Sequence, residues 1–385
     1  MLELTPDNVA AYLRDTGHGS PSEILAQPLS GGVANTVLKI FDTCAGDKIG
    51  TDLRSKSQIA RGIADARMHA GACMVLKQPL PKFKTSAEWL VDIDRMLVER
   101  DALKLLATIL PAGAVPDLLW CDETNYVLAI SCAPTDAIIW KKHLLDGNAS
   151  VPAAQQAGLL LAMIHAGTST SIADPNQNKQ IAERFGDDRF FVQQRIDPYL
   201  RAVAEKFPAI ARPIDRIIDT LLHHRLCLIH GDYSPKNIFL LPPPDTQLDP
   251  AKPFPVDGLM LLDFEVAFFS HPAFDVATLL NHLLLKAFHL PHRWRPLLIA
   301  ADAFWQTYQQ TAGPMIAEAV TSIANLMLPA LLLARIHGKS PVEYITEPER
   351  KTQITDVALR LLKEPRPTLD ETIDEIAALL ATITP

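Results

Sequence analysis

LIHGDYSPKNIFLL (residues 228–241) and GLMLLDFEVAFF (residues 258–269) decide how this chain reads. In each, a short apolar run breaks off into polar residues. Asp232 and Asn237 stand five positions apart on a segment that leaves one apolar run and enters another, and Asp263 and Glu265 follow at the end of a further run. Residues i and i+2 of an extended segment share a face, so Glu265 points where Asp263 points. Carboxylates and an amide at such positions form a set of hard oxygen donors, which suits Mg²⁺ carried on a phosphate. Lys236, just before Asn237, reads either as a contact to a phosphate oxygen or as a solvated loop lysine. Turn-forming alone also uses Asp and Asn. The five-residue offset, the apolar run after it and the Asp-x-Glu pair together favour chemistry.

The chemistry that asks for these groups is phosphoryl transfer. It needs a positioned hydroxyl, neutralised phosphate charge and little covalent help from the protein. Protein kinases meet the need with a loop H-R-D-x-x-x-x-N, Asp as base and Asn on metal, and a later D-F-G whose Asp also holds metal. Here His230-Gly231-Asp232 leads to Asn237 at the same offset, and Asp263-Phe264-Glu265 follows. Asp232 is the candidate base; Asn237, Asp263 and Glu265 are candidate Mg²⁺ ligands.

The remaining parts of a nucleotide site occur in order upstream. LSGGVANTVLKIF (29–41) opens with Ser30-Gly31-Gly32 and carries Asn35 into an alternating apolar run. Paired glycines let backbone N–H groups approach phosphate oxygens, although hairpin turns look the same. CMVLKQ (73–78) is a short strand with Lys77 near its end, in reach of α- and β-phosphates. A helix is expected over about 89–110 from its apolar spacing. It carries two acids that can hold Lys77, Glu99 and Asp101. NYVLAIS (125–131) reads as a strand, and the aperiodic CAPTDA after it as a hinge. Backbone groups near Ser131 and Ala133 are candidate adenine contacts.

These segments together resemble the aminoglycoside phosphotransferase and choline kinase superfamily, and within it the methylthioribose kinases. The resemblance rests on LSGGVANTV, LKQPLPKF, DIDRMLVERDAL, LIHGDYSPKNI and DFEVAFFSHPAFDVATLLNHLLLKAF, and spans about residues 29–345. It implies an α+β, two-lobed protein-kinase-like fold. A small antiparallel-sheet lobe with one long helix (1–131) would bind ATP, and a larger, mainly helical lobe (132–385) would carry catalysis and the acceptor. It implies ATP and Mg²⁺ as cofactors and a small-molecule hydroxyl acceptor, probed first as a methylthioribose-like sugar. It favours Glu99 over Asp101 as partner of Lys77 and makes Asp275 a structural acid bonded to the catalytic-loop backbone. It allows a homodimer. Two departures stand out. The SPKN stretch resembles the wider superfamily, and of a C-terminal arginine pair implicated in substrate binding only Arg335 is kept, preceded by Ala334. Arg335 is the one named substrate contact besides Asp232. An aminoglycoside, choline or other amino-alcohol kinase is the alternative, marked by an acidic or aromatic acceptor rim. A nucleotide-binding pseudokinase is a second.

Composition bounds these readings. With 385 residues, 48% of them hydrophobic, the chain can build two cored lobes. A net charge of −8 gives no nucleic-acid footprint. Cysteines 44, 73, 121, 132 and 227 lack metal spacing; reduced thiols in a cytoplasmic protein are expected. No secretory signal is expected at the N-terminus. The apolar stretches around 279–290 and 325–336 are interrupted by Asn281, His282 and Lys286, or by Pro329, and read as core helices rather than membrane spans. His165 reads as a satisfied core histidine. Residues 42–72 and the proline-rich 241–258 read as insertions between strands, the first as a harmless one. A helix is expected over 4–16, and Gly338 is expected to cap a helix that ends there.

Overall fold

The structure is a computed structural model of the 385-residue chain. It describes residues 2–18, 24–29, 34–42, 73–84, 89–169, 175–244, 246–248 and 252–383. The chain divides into two compact units, Met1–Ala107 with Val115–Thr135, and Thr108–Ala114 with Asp136–Pro385. The class is α+β, as expected.

The first unit is a five-stranded antiparallel sheet. Its strands are β1 (Ile24–Pro28), β2 (Asn35–Asp42), β3 (Cys73–Pro79), β4 (Leu118–Asp122) and β5 (Val127–Ser131), in the order β1-β2-β3-β5-β4. Period-2 alternation sorts β3 into two faces. Met74 and Leu76 join Leu38, Ile40, Trp120, Val127 and Ala129 in a core with Leu4 and with Val9, Tyr12 and Leu13 around α1 (Val9–Asp15). Lys77 therefore projects from the opposite face, the side of helix α2 (Arg95–Ile109). The N-terminal helix begins later than expected because Thr5 and Asn8 bond reciprocally, each side-chain oxygen accepting the other's N–H, at 2.8 and 3.3 Å. Helix α2 also begins later. Phe83 N–H bonds the Trp89 carbonyl and Val91 N–H the Pro81 carbonyl, so 89–91 stays extended. The Arg95 guanidinium then ties the helix start to the Ala34 carbonyl at 2.6 Å and the Leu80 carbonyl at 3.1 Å.

Two cysteines depart from the expectation of reduced thiols. Cys73 opens β3 and Cys132 follows β5, and they form a disulfide with Cα atoms 5.7 Å apart. The register explains it: Met74 faces Ser131 across the two strands, so the next position along each brings the cysteines opposite. Cys121 and Cys227 are free, and Cys44 lies outside the described residues.

The second unit is mainly helical, with two small sheets at its heart. β7 (Cys227–Ile229) pairs with β10 (Phe268–Ser270), while β8 (Ile238–Leu241) pairs with β9 (Gly258–Leu261) and with β6 (Ile138–Ile139). Helices α3 (Val151–Gly167), α4 (Ala273–His289), α5 (Trp294–Ala312), α6 (Pro314–His337) and α7 (Pro348–Lys363) pack around one another. Every residue of α4 from Ala273 to Phe288 is buried, the signature of a helix enclosed on all sides. Helix α6 runs for 24 residues with Pro329 inside it, the core helix expected over that stretch. By length and composition α6 could cross a membrane, but 67% of its apolar window is buried within the fold. Gly338 ends α6 without a left-handed cap. Its φ is −75°, and glycine is needed there because a Cβ would stand 2.6 Å from the Ala334 carbonyl oxygen and 2.9 Å from that of Pro198.

Candidate active site

The second unit's strand pairing sets two loops side by side. One loop, 230–237, runs from β7 to β8; the other, 262–267, runs from β9 to β10. Because β7 pairs with β10 and β8 with β9, the loops must cross the same end of the strands. Backbone bonds lock them together: Leu262 N–H donates to the Asn237 carbonyl at 2.9 Å, and His230 Nε2–H to the Leu262 carbonyl at 3.0 Å. The other ring nitrogen, Nδ1, accepts from the Asp232 N–H at 3.2 Å, which fixes the tautomer. Burial pushes the His230 pKa down, so the ring serves as a neutral strut. Gly231 has φ +76°, and a Cβ there would lie 2.4 Å from the Val266 carbonyl oxygen, so only glycine lets the loops approach this closely. Asp263 also takes positive φ, +69°, a strained conformation of the kind that clusters at functional sites.

Asp232 is the centre of the first loop and is buried. Its Oδ2 accepts from Asn237 Nδ2 at 3.1 Å and pairs with Lys236 Nζ at 2.8 Å and Arg195 Nη2 at 3.1 Å. Burial alone would raise its pKa, but the Lys236 ammonium and Arg195 guanidinium hold it well below the usual carboxylate range. Asn237 also donates to the Asp232 carbonyl at 3.0 Å. Both amide protons thus go to Asp232, and Asn237 keeps its oxygen to offer. That oxygen, the Asp263 carboxylate and the buried Glu265 carboxylate make a hard donor set that fits Mg²⁺. Arg195 escaped the sequence reading. It lies in a wide π-helical stretch, Val192–Arg201, with Pro198 inside it, and also donates Nε–H to the Gly231 carbonyl at 2.6 Å. The only local signal was an arginine within an amphipathic segment; its role comes from residues 36 and more positions away.

Asp275 and His165 take supporting places. Asp275 accepts the N–H groups of His230 and Gly231, and His165 bridges Tyr308 OH at 2.7 Å and Asp275 at 3.3 Å. His165 is a core group. Arg335 donates to Tyr199 OH at 2.9 Å and Ser340 Oγ at 3.3 Å.

In the first unit Lys77 and Glu99 form a buried ion pair, Nζ to Oε1 2.6 Å. Met96, Glu99, Leu103 and Leu106 share the buried stripe of α2, which aims Glu99 at the sheet. Asp101 lies off that stripe and pairs with Arg100 at 2.7 Å. Asn35 opens β2, while Ser30, Gly31 and Gly32 lie outside the described residues. Ser131 bonds Asp117 twice, its N–H donating to the Asp117 carbonyl and its Oγ accepting from the Asp117 N–H, each at 2.9 Å.

The chain is similar to several known proteins. Methylthioribose kinase of Yersinia pseudotuberculosis is 24% identical over 339 residues, covering 79% of this chain and 72% of its own length. That of a Geobacillus species is 25% identical over 259 residues, covering 61% and 60%. Among solved structures, a choline/ethanolamine kinase family protein from Mesorhizobium loti aligns over 98% of both chains with 15% identity and a TM-score of 0.45. The family described as the phosphotransferase enzyme family matches residues 59–314, more than half of the sequence, and this chain belongs to it.

Proposed function

We propose that this phosphotransferase moves the γ-phosphoryl group of ATP, as its Mg²⁺ complex, to a hydroxyl of a small sugar-type acceptor. Methylthioribose, named by its relatives, is the reference compound. The observation that carries the proposal is Asp232: a buried carboxylate gripped by Asn237, Arg195 and Lys236, one loop away from Asp263 and Glu265. Bound Mg²⁺ would be held by Asn237, Asp263 and Glu265 and would neutralise phosphate charge. Lys77, braced by Glu99, meets the α- and β-phosphates. Asp232 accepts a hydrogen bond from the acceptor hydroxyl and orients it. As the hydroxyl oxygen bonds to the γ-phosphorus and the bridge to ADP breaks, the hydroxyl proton passes to Asp232. A carboxylate with a depressed pKa is a weak base, which suffices because a loose transition state releases that proton late.

The test is phosphate transfer from ATP to a panel of pentoses, methylthioribose, aminoglycosides and choline. Asp232→Asn should lower turnover by about 10²–10⁴-fold while ATP still binds. Full turnover in that variant removes Asp232 from the mechanism. Tight ATP binding without transfer to any acceptor favours a nucleotide-binding pseudokinase.

A further inference from the structure

Beside the loop 230–237 of the second unit lies a small cavity of about 20 Å³. Its charged and phenolic lining consists of Lys141, Lys236, Lys286, Arg335, Glu343 and Tyr344. Two of the cations are matched: Lys141 pairs with Glu343, and Lys236 with Asp232. The other two are not. Lys286 is fully buried, makes one hydrogen bond, to the His282 carbonyl at 3.2 Å, and has no ion pair among the described residues. Among the described residues Arg335 hydrogen-bonds hydroxyl groups alone, and its Nε is buried with no partner. The Tyr344 OH is likewise buried and has no hydrogen-bond partner among the described residues. The Lys286 ammonium stands 5.2 Å from the centre of the Tyr344 ring, so these donors are gathered in one place.

Burying an unpaired ammonium costs several kcal/mol by general estimate, and an orphaned donor adds to it. Proteins retain such groups where a ligand supplies what is missing. The missing component here is negative charge with several acceptor oxygens. Lys236 joins this cavity to Asp232, so whatever fills it lies next to the candidate base.

We propose that this cavity receives one end of the acceptor, an anionic carboxylate or phosphate group held by Lys286, Arg335 and Tyr344, while the acceptor's hydroxyl lies outside the cavity at Asp232. The proposal deepens the phosphotransfer reading and rests on it. It sets the acceptor apart from neutral thiosugars, and it opposes cationic acceptors such as choline or an aminoglycoside, which would face two unmatched positive charges.

The experiment pairs neutral and anionic probes: D-ribose and methylthioribose against D-ribonate and D-ribose 5-phosphate, with choline as the cationic member. Calorimetric affinities are measured on the full chain and on Lys286→Met and Tyr344→Phe, with ATP affinity alongside. Wild-type protein should bind one anionic probe at least about tenfold more tightly than D-ribose, as charge-assisted bonds require. D-ribonate and D-ribose 5-phosphate separate the carboxylate from the phosphate. Lys286→Met should abolish the preference and leave ATP affinity within about twofold. Tyr344→Phe removes a hydroxyl that has no partner in the free protein, so it should weaken the anion several-fold without loss of stability; it keeps the test sharp if Lys286→Met folds poorly. Equal affinity for neutral and anionic probes, tighter choline binding, no saturable anion binding, or a preference that survives both variants overturns the proposal. So does a loss of ATP affinity matching the loss of anion affinity, which would give the cavity to the nucleotide. Anion binding by these residues with no phosphate transfer from ATP would instead leave the cavity assignment standing and remove the phosphotransfer reading.

Discussion

Asp275 grips the 230–237 loop with both carboxylate oxygens: Oδ2 accepts the His230 N–H at 2.6 Å and Oδ1 the Gly231 N–H at 3.0 Å. It does so fully buried, from the first turn of α4, with His165 also at Oδ2. Asn is close in shape but has one acceptor oxygen, and its NH₂ would face a backbone N–H. Asp275→Asn should therefore cost about 1–3 kcal/mol in urea unfolding, the range for a buried group left unmatched. Turnover should fall as well, because Asp232 is one residue beyond the released Gly231, while ATP affinity changes little. Unchanged stability would show that the loop holds itself without Asp275.

Arg195 positions Asp232 and sets its charge. It touches the carboxylate at 3.1 Å and the Gly231 carbonyl at 2.6 Å. With Lys236 it keeps the Asp232 pKa low against the opposing effect of burial. Removing one cation leaves burial less opposed, so Arg195→Met should raise that pKa and move the acid limb of kcat/KM upward. Arg195→Lys keeps the charge without the fork and should hold the limb low while turnover drops. A purely structural role would lower both variants' stability and leave the limb where it is.

How far the sequence revealed this site depended on how local each relationship is. Asp232, Asn237, Asp263 and Glu265 were legible because two short loops carry them at fixed offsets. Glu99 was legible in principle, since it shares the helical stripe of Met96, Leu103 and Leu106 whereas Asp101 does not. Arg195 and the Cys73–Cys132 bond were not, because each depends on strand register or on chain brought in from far away. Lys286 was misleading. In the sequence it merely interrupts an apolar stretch, and only complete burial of α4 shows that the charge is enclosed. Gly338 illustrates a subtler limit: the glycine ends its helix as expected, but for close approach to Pro198 rather than for a left-handed turn.

The disulfide should contribute measurably to the first unit. It closes a loop over a sequence separation of 59 and joins paired strands β3 and β5. Restricting the unfolded chain over such a loop stabilises by about 2–4 kcal/mol in the chain-entropy picture. Cys73→Ser and Cys132→Ser should each lose that amount in denaturant unfolding, and the double variant should lose no more than either single one. Reductant should lower wild-type stability and leave the variants unaffected. If reductant changes nothing in the wild type, the thiols are not joined.

Lys286 makes stability depend on pH in a direction unusual for lysine. Burial first, then the neighbouring charges of Lys141 and Arg335, lower its pKa to about 7, with Glu343 acting in the opposite sense. His282, one turn earlier and itself pushed well down by burial, adds no charge at neutral pH. In the unfolded chain the ammonium persists to about pH 10.4. Between those limits the unfolded state binds more protons, so stability should rise as pH increases from about 7 to about 10 and lie flat with respect to this group below 7. Lys286→Met should remove that slope and be the more stable protein at pH 7 and below. An anion in the cavity favours the charged lysine, so binding D-ribose 5-phosphate or D-ribonate at pH 8 should draw a proton from solution. Calorimetry in two buffers of different ionisation enthalpy reads that proton directly. Lys286→Met should show none of it, and a variant that keeps the wild-type pH slope and proton uptake would place the titrating group elsewhere.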